Sequence, residues 1–377
     1  MSSPDRRGFR ITANQVTLAR LIPMPAIAWV IYEATSMDGG TFRFVPLYLW
    51  TALIVGTIIG CTDFVDGYLA RKHGPTVLGG LLDPIADKVF VAFAYLPFAD
   101  LGLVPAWAVA LMFVREFLVT ALRSAYEQRG LSLKTSYIAK AKTWTQMQGI
   151  GVLVLFPLIG DDHAAVMTGI LVAGVALPLV AMAGLWLARR KFWRGAIFMS
   201  GSFAGLLAVY LSGSIVWSMH AIMIGVVAIT WVSAFDYFTV GIKQLRGRGD
   251  LGSADGVRIL GGLAVPILTL AVMVETPAPA WPLFVIITFE LAIGGLDNLL
   301  SHHHAATGAA GWAARALVSS ALLGASLVVP AQATPLTIAA AVITVVGAAS
   351  EFWRGRDYYL DARLRNKARE AAAPAPG

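Results

Sequence analysis

"WTALIVGTIIGCTDFVDGYLARKHGPTVLGGLLDPIADKVFVAFAYLPF", residues 50–98, is a long apolar run, a short polar turn and a second long apolar run. Each run approaches the roughly 20 residues that a helix needs to cross a bilayer. Gly74 and Pro75 mark the turn between them. The same pattern extends outward in both directions. The 377-residue chain is 57% hydrophobic and 14% charged, and its mean hydropathy is +0.70. That composition excludes a water-soluble domain of this size. Apolar runs near 15–33, 47–69, 80–100, 104–124, 143–160, 164–188, 195–213, 216–239, 257–275, 281–300, 313–330 and 335–353 make twelve candidate spans. The expected fold is an all-α, polytopic membrane helical bundle.

The net charge of +7 is distributed as a membrane protein distributes it. With a cytoplasmic N-terminus, the inside turns receive Arg71 and Lys72, then Arg123, Arg129, Lys134, Lys140 and Lys142, then Arg189, Arg190, Lys191 and Arg194. Lys243, Arg246, Arg248 and a basic tail from Arg354 to Arg369 follow on the same side. The outside turns hold Arg43 and otherwise acidic or neutral stretches, "GDDH" at 160–163 and "ETPAPA" at 275–280. Basic residues therefore face anionic lipid headgroups, both termini are expected in the cytoplasm, and no nucleic-acid partner is expected. "MSSPDRRGFRITANQ" lacks the pattern of a removable signal peptide, so the N-terminus is expected to be retained. The single cysteine, Cys61, reads as a small buried filler.

Four acids lie in the quoted stretch. Asp63 and Asp66 are three apart, and Asp83 and Asp87 four apart, so each pair projects from one helix face. Ionisable groups at membrane depth are costly without partners. Solvated helix caps would use one or two such acids, whereas a hard divalent cation uses all four. Oxygen-only ligands suit magnesium, manganese or calcium rather than zinc. Magnesium commonly adds substrate phosphate oxygens to a few carboxylates, which points to a phosphate-bearing substrate. Gly67 permits close approach to the backbone, Ala70 keeps the face small, and Arg71 offers a forked donor to phosphate. Gly79 and Gly80 permit close packing as the next helix begins.

Asp63-x-x-Asp66-Gly67-x-x-Ala70-Arg71, followed by Gly79-x-x-x-Asp83-x-x-x-Asp87, resembles the signature of the CDP-alcohol phosphotransferases, integral enzymes of phospholipid synthesis. One departure is the spacing of seven residues between Arg71 and Gly79, where the family usually has about eight; it falls in the turn. The resemblance implies that Asp63, Asp66, Asp83 and Asp87 hold two Mg2+ or Mn2+ ions, with Asp87 also the base that takes the acceptor's proton. It implies that Asp66, Gly67, Ala70, Arg71 and Gly79 bind the CDP moiety of a CDP-linked lipid. It also implies a six-helix core in a bacterial-type inner membrane, with the active site on the cytoplasmic side.

"NQVTLARLIPMP" at 14–25 is similar to the start of the first family helix, with Asn14, Thr17 and Arg20 near the cytoplasmic interface, and "REFLVTALR" at 115–123 and "KAKTWTQ" at 140–146 resemble the phosphatidylglycerophosphate synthases. That likeness implies CDP-diacylglycerol and glycerol 3-phosphate as substrates. Arg115, Arg123, Lys140 and Lys142 beside a metal site suit an acceptor that itself bears a phosphate. Arg115 and Glu116 lie inside the fourth span, where an unpaired charge is costly, so they are expected to pair or to face a polar cavity. Inositol phosphate, serine and phosphatidylglycerol remain alternative acceptors.

The expected domain organisation is a catalytic unit at 1–248 with an inserted helix pair at about 161–214, a linker at 249–256, and an accessory membrane unit at 249–377. The accessory unit offers packing surface, a homodimer contact or a dock for another protein. Its "VRILGGLAVPI" and "AIGGLDNLLSHHH" resemble "LARLIPMPAI" and "IIGCTDFVDGYLA", with Arg258 placed like Arg20 and Asp297 like Asp63. Leu300 stands where Asp66 stands, and nothing answers Asp83 or Asp87, so no second active site is expected. His302, His303 and His304 read as a headgroup loop, and Arg315 and Glu351 as isolated interface charges. Twelve spans with a faint repeat also suit a transporter, but acids at one interface rather than the bilayer midplane favour the enzyme. A non-catalytic scaffold is disfavoured by the intact acids.

Overall fold

The computed structural model describes residues 12–74, 76–131, 137–160, 162–235, 237–241, 244, 253–303 and 309–360, nearly all of them helical. Among the described residues, each of the twelve expected apolar runs falls largely on helix. Seven helical segments among the described residues are long and apolar enough to cross a bilayer by length and composition. The chain is an integral membrane protein with an all-α, polytopic fold.

The first span is broken. α1 (Ala13–Leu21) opens with a reciprocal cap in which the Thr12 hydroxyl accepts from the Gln15 N–H and the Gln15 side chain accepts from the Thr12 N–H. It ends ahead of Pro23, which has no N–H to give, and α2 (Met24–Ala34) carries on. The break leaves Arg20 in the last turn of α1. A small antiparallel hairpin follows, β1 (Thr35–Asp38) and β2 (Thr41–Phe44), joined through Gly39 and Gly40 at φ of 58° and 82°. Two positive φ values in a two-residue turn favour glycine, and the strands are too short for periodicity to reveal.

α3 (Pro46–His73) and α4 (Val77–Asp100) form the quoted hairpin. The shortened spacing is absorbed by a three-residue connection, in which Gly74 takes φ 91°, a value side chains resist. Pro75 lies outside the described residues. Thr76 caps α4 by accepting from Gly79 N–H at 2.9 Å. Then come α5 (Ala106–Glu127), α6 (Tyr137–Ile159), α7 (Ala164–Arg189), α8 (Arg194–Ser212), α9 (Ile215–Val232) and a π-helical turn, Tyr237–Gly241. α10 (Ser253–Glu275), α11 (Ala280–His302), α12 (Ala309–Val328) and α13 (Ala333–Leu360) complete the chain.

α4 is the hub. α1, α2, α5, α6 and α11 pack against it, and its Tyr95 and Phe98 are fully buried with Phe113 of α5 and Phe156 of α6. In a bilayer, close packing and hydrogen bonds hold helices together, since lipid tails are as apolar as leucine. α7 and α8 pack chiefly on each other and leave Val172, Leu187 and Leu211 exposed, as a lipid-facing pair does. Trp281 and Trp353 are exposed too, consistent with their reading as interfacial aromatics.

The expected accessory unit shares the core of the catalytic one. α10 and α11 lie along α5, and the end of α5 is tied to them: Arg129 to Asp255 at 2.7 Å, Gln128 to Ser301 at 3.2 Å, and Glu127 to His302 at 2.8 Å. Four expectations change here. Ser253–Gly256, expected as linker, are the first residues of α10. Arg129, expected on an inside turn facing lipid headgroups, is half of an ion pair with Asp255. Arg315 is buried and paired with Glu290 of α11, because a lone charge between packed helices would be expensive. Cys61 is exposed rather than buried. His302 and His303 end α11 and meet Glu127 and Tyr358, respectively. His304, the side chain of Arg258, and residues 1–11 and 361–377 lie outside the described residues.

Candidate active site

The four aspartates come together where α3 turns into α4. Helical spacing puts Asp63 and Asp66 on one side and Asp83 and Asp87 opposite. α1 supplies what they need. The Thr17 hydroxyl lies 3.1 Å from Asp66 Oδ2 and 2.9 Å from Asp83 Oδ1, bridging the two helices. The Arg20 guanidinium lies 3.0 Å from Asp63, 3.2 Å from Asp87 and 3.8 Å from Asp66. Thr17, Arg20 and Asp66 are buried, whereas Asp63 and Asp87 are half-exposed. One buried cation thus lies among three carboxylates and offsets part of their mutual repulsion. Arg20 Nε and Nη2 have no hydrogen-bond partner, so it is charge more than hydrogen bonding that holds the guanidinium there.

The donor set is all oxygen and anionic, the kind that hard divalent cations take. Among the described residues no three His, Cys, Asp or Glu side chains are gathered as a ready-made cage, and Arg20 lies 3.0 Å from Asp63 and 3.2 Å from Asp87. The four carboxylates fit such an ion in donor chemistry.

Gly79 sits under Asn14 and Thr76; a Cβ there would lie 2.9 Å from Asn14 Oδ1 and 3.0 Å from Thr76 Oγ1. Thr76 donates to Asn14 at 2.9 Å, so α1 is fastened to the start of α4 by this contact. Gly67, Ala70 and Arg71 follow Asp66 along the end of α3, with Arg71 exposed and its Nη1 3.5 Å from where a Gly67 Cβ would be.

The expected acceptor cations divide into two kinds. Arg115 is buried and turned toward α9, where Nη2 donates to Ser233 Oγ at 3.0 Å and Nε to the Thr230 carbonyl at 3.2 Å. It clamps two helices. Lys142 reaches Glu116 at 2.5 Å, and Glu116 also lies 3.3 Å from Arg115. Arg123 donates to the Tyr237 hydroxyl at 3.0 Å. The side chain of Lys140 lies outside the described residues. Lys88, missed in the sequence, joins this group and donates to Thr120 Oγ1 at 2.6 Å. Its signal was present: a lysine one residue past Asp87, inside an apolar helix.

Three hollows meet at these residues. An apolar groove of about 670 Å3 runs between α3 and α6 along Leu53, Ile59, Met147, Ile150 and Val154, and its polar end is Arg20, Asp63 and Asp87. Cys61 is on its wall. A cleft of about 150 Å3 leads from Asp87 past Gln146 to Lys88, Glu116 and Lys142. Those three also line a polar cavity of about 510 Å3, with Arg115, Arg123 and Thr120 on α5 and Gly295, Asn298 and His302 on α11. Asp87 alone among the four acids borders both groove and cleft.

A family model described as CDP-alcohol phosphatidyltransferase matches residues 10–188. Among curated relatives, "Probable phosphatidylglycerophosphate synthase" of Mycobacterium tuberculosis (strain ATCC 25618 / H37Rv) is 36% identical over 174 residues, which are 46% of this chain and 78% of that protein. "CDP-diacylglycerol--glycerol-3-phosphate 3-phosphatidyltransferase" of Bacillus subtilis (strain 168) is 35% identical over 150 residues, 38% of this chain and 77% of that one. The protein of the same name from Rickettsia bellii (strain RML369-C) is 34% identical over 143 residues, 38% and 74% of the two chains.

Proposed function

This chain belongs to the CDP-alcohol phosphatidyltransferase family, and from that premise we propose that it transfers the phosphatidyl group of CDP-diacylglycerol to glycerol 3-phosphate, releasing CMP and forming phosphatidylglycerophosphate. The observation that carries the acceptor is the position of Asp87, between an apolar groove and a cavity lined by Lys88, Arg115, Arg123 and Lys142. A two-chain lipid needs the groove for its tails and a polar end for its phosphates. A phosphate-bearing alcohol needs the cations. The names of the relatives from Bacillus subtilis and Rickettsia bellii point to the same pair of substrates.

In this reading the diacylglycerol moiety lies in the groove with its pyrophosphate at Asp63 and Asp87. Gly67, Ala70, Arg71 and Gly79 receive the cytidine phosphate end, small residues giving room and Arg71 a forked donor. Glycerol 3-phosphate enters the polar cavity with its phosphate toward Lys88, Arg123 and Lys142. Arg115 holds Glu116, and Glu116 holds Lys142 in place. The free primary hydroxyl then reaches Asp87 through the cleft. Asp87 takes the hydroxyl proton, the oxygen bonds to the β-phosphorus, and the bond from that phosphorus to the CMP oxygen breaks. Asp63, Asp66, Asp83 and Asp87 would hold two Mg2+ or Mn2+ ions, which when bound would supply positive charge to the attacking and leaving oxygens. Arg20, which holds Asp63 and Asp87 here, supplies the positive charge at these carboxylates. The basic residues at alternate turns support a cytoplasmic site and cytoplasmic termini.

The test is purified protein with CDP-diacylglycerol and magnesium, offered glycerol 3-phosphate, inositol phosphate, serine and phosphatidylglycerol in turn. CMP and phosphatidylglycerophosphate should appear with glycerol 3-phosphate. Faster turnover with another alcohol refutes the acceptor, and CMP release with none refutes the reaction.

A further inference from the structure

Lys88 borders both the cleft that leads from Asp87 and the polar cavity. Its ammonium has three N–H donors on a flexible stem. One of them goes to Thr120 Oγ1 on α5 at 2.6 Å, which leaves donors for an anion in the cavity. Thr120 is itself fixed in two ways. A helical threonine has two open rotamers, and the bond from its hydroxyl to the Glu116 carbonyl, at 2.7 Å, selects one. Its methyl group then meets α11: a Cβ at Gly294 would lie 3.3 Å from Thr120 Cγ2. The next residue of α11 is as close to α4, where a Cβ at Gly295 would lie 2.7 Å from Ile85 Cγ1, and Ile85 stands one turn before Lys88. Two consecutive glycines thus seat α11 against both helices that hold the Lys88 ammonium. The family match, residues 10–188, ends well before α11.

We infer that Thr120 and Gly294 are positioning residues for the acceptor. Gly294 keeps Thr120 in its rotamer, and Thr120 aims the Lys88 ammonium at the acceptor's phosphate beside Asp87. A lysine free to move would lose its rotamer freedom when the phosphate arrives, whereas one already held does not. The ligand class is the phosphate monoester of a short alcohol, and the inference rests on the assignment of that phosphate to this cavity. Through Gly294 the accessory half of the chain supports the acceptor site.

The experiment uses the full chain in lipid–detergent micelles and measures initial CMP release while glycerol 3-phosphate and CDP-diacylglycerol are varied separately. Thr120→Val keeps the branched shape and removes the hydroxyl. It should raise the KM for glycerol 3-phosphate about five-fold or more, the worth of one hydrogen bond, and leave the KM for CDP-diacylglycerol unmoved. Thr120→Ser, which keeps the oxygen, should stay within about two-fold of wild type on both substrates. Gly294→Ala should also raise the KM for glycerol 3-phosphate, and adding Thr120→Ser, which removes the methyl group in the way, should bring it back. An equal rise on both substrates in Thr120→Val overturns the role of Thr120. A Gly294→Ala effect that is absent, or that Thr120→Ser does not reverse, overturns the role of α11. If Thr120→Val does not fold, the Gly294→Ala and Thr120→Ser pair decides by the same KM. A wild type that does not turn over glycerol 3-phosphate refutes the assigned reaction itself, and this inference with it.

Discussion

Asp87→Asn exchanges one oxygen for nitrogen and keeps the shape of the side chain, so it separates chemistry from folding. The fold should survive. Asp87 is half-exposed, and an ion pair in that setting is worth at most about 1 kcal/mol. Arg20, its partner at 3.2 Å, keeps Asp63 at 3.0 Å and Asp66 at 3.8 Å, so no buried charge is orphaned. The reaction should not survive, because a positioned general base contributes about 100- to 10,000-fold. At 1.36 kcal/mol per decade that is about 2.7–5.4 kcal/mol of barrier, several times the stability at stake. Membrane-inserted Asp87→Asn, matched to wild type by size-exclusion profile and thermal unfolding, should therefore release CMP at least 100-fold more slowly. Turnover within about ten-fold of wild type at the same unfolding temperature would refute Asp87 as the base.

Exhaustive chelation should silence wild type, and Mg2+ or Mn2+ should restore it; CMP release that survives chelation removes the cation from the site. Lys142→Met should raise the KM for glycerol 3-phosphate several-fold more than that for CDP-diacylglycerol, since Lys142 lines the cavity and not the apolar groove; equal shifts would make it a structural residue. Arg115→Met should show itself in stability instead, by about 3–5 kcal/mol in denaturant unfolding, because it strips a partner from buried Glu116 and from the Thr230 carbonyl. An unfolding midpoint like that of wild type would dismiss the clamp. Gly79→Ala should slow turnover by pushing Asn14 and Thr76 apart, and an unchanged rate would show that this contact does not position the site.

The site was legible in part. Asp63, Asp66, Asp83 and Asp87 were readable because two helices joined by a short turn bring i, i+3 and i, i+4 positions to one place whatever else the chain does. Arg20 and Thr17 were legible only as polar residues near the interface. Their contacts with the acids depend on α1 stopping at Pro23 and lying across α3 and α4. Arg115 and Lys142 both read as cations and both border the cavity, yet Arg115 gives its donors to Thr230 and Ser233 while Lys142 pairs with Glu116, a difference that spacing along the chain does not encode.

The amino-acid sequence by itself determined that this chain spans a membrane, where its helices run and where its acids collect, because bilayer thickness and helical pitch act on neighbouring residues. The tertiary structure alone decided that α10 and α11 share the core of the first half, that Glu116 is held by Arg115 and Lys142, and that Gly294 meets Thr120 beside Lys88. In a bilayer the apolar effect does not select one helix partner over another. Selection falls to close contacts such as Gly295 against Ile85 and to pairs such as Arg129 with Asp255. Those contacts join residues more than 100 positions apart and exist only once the helices have met.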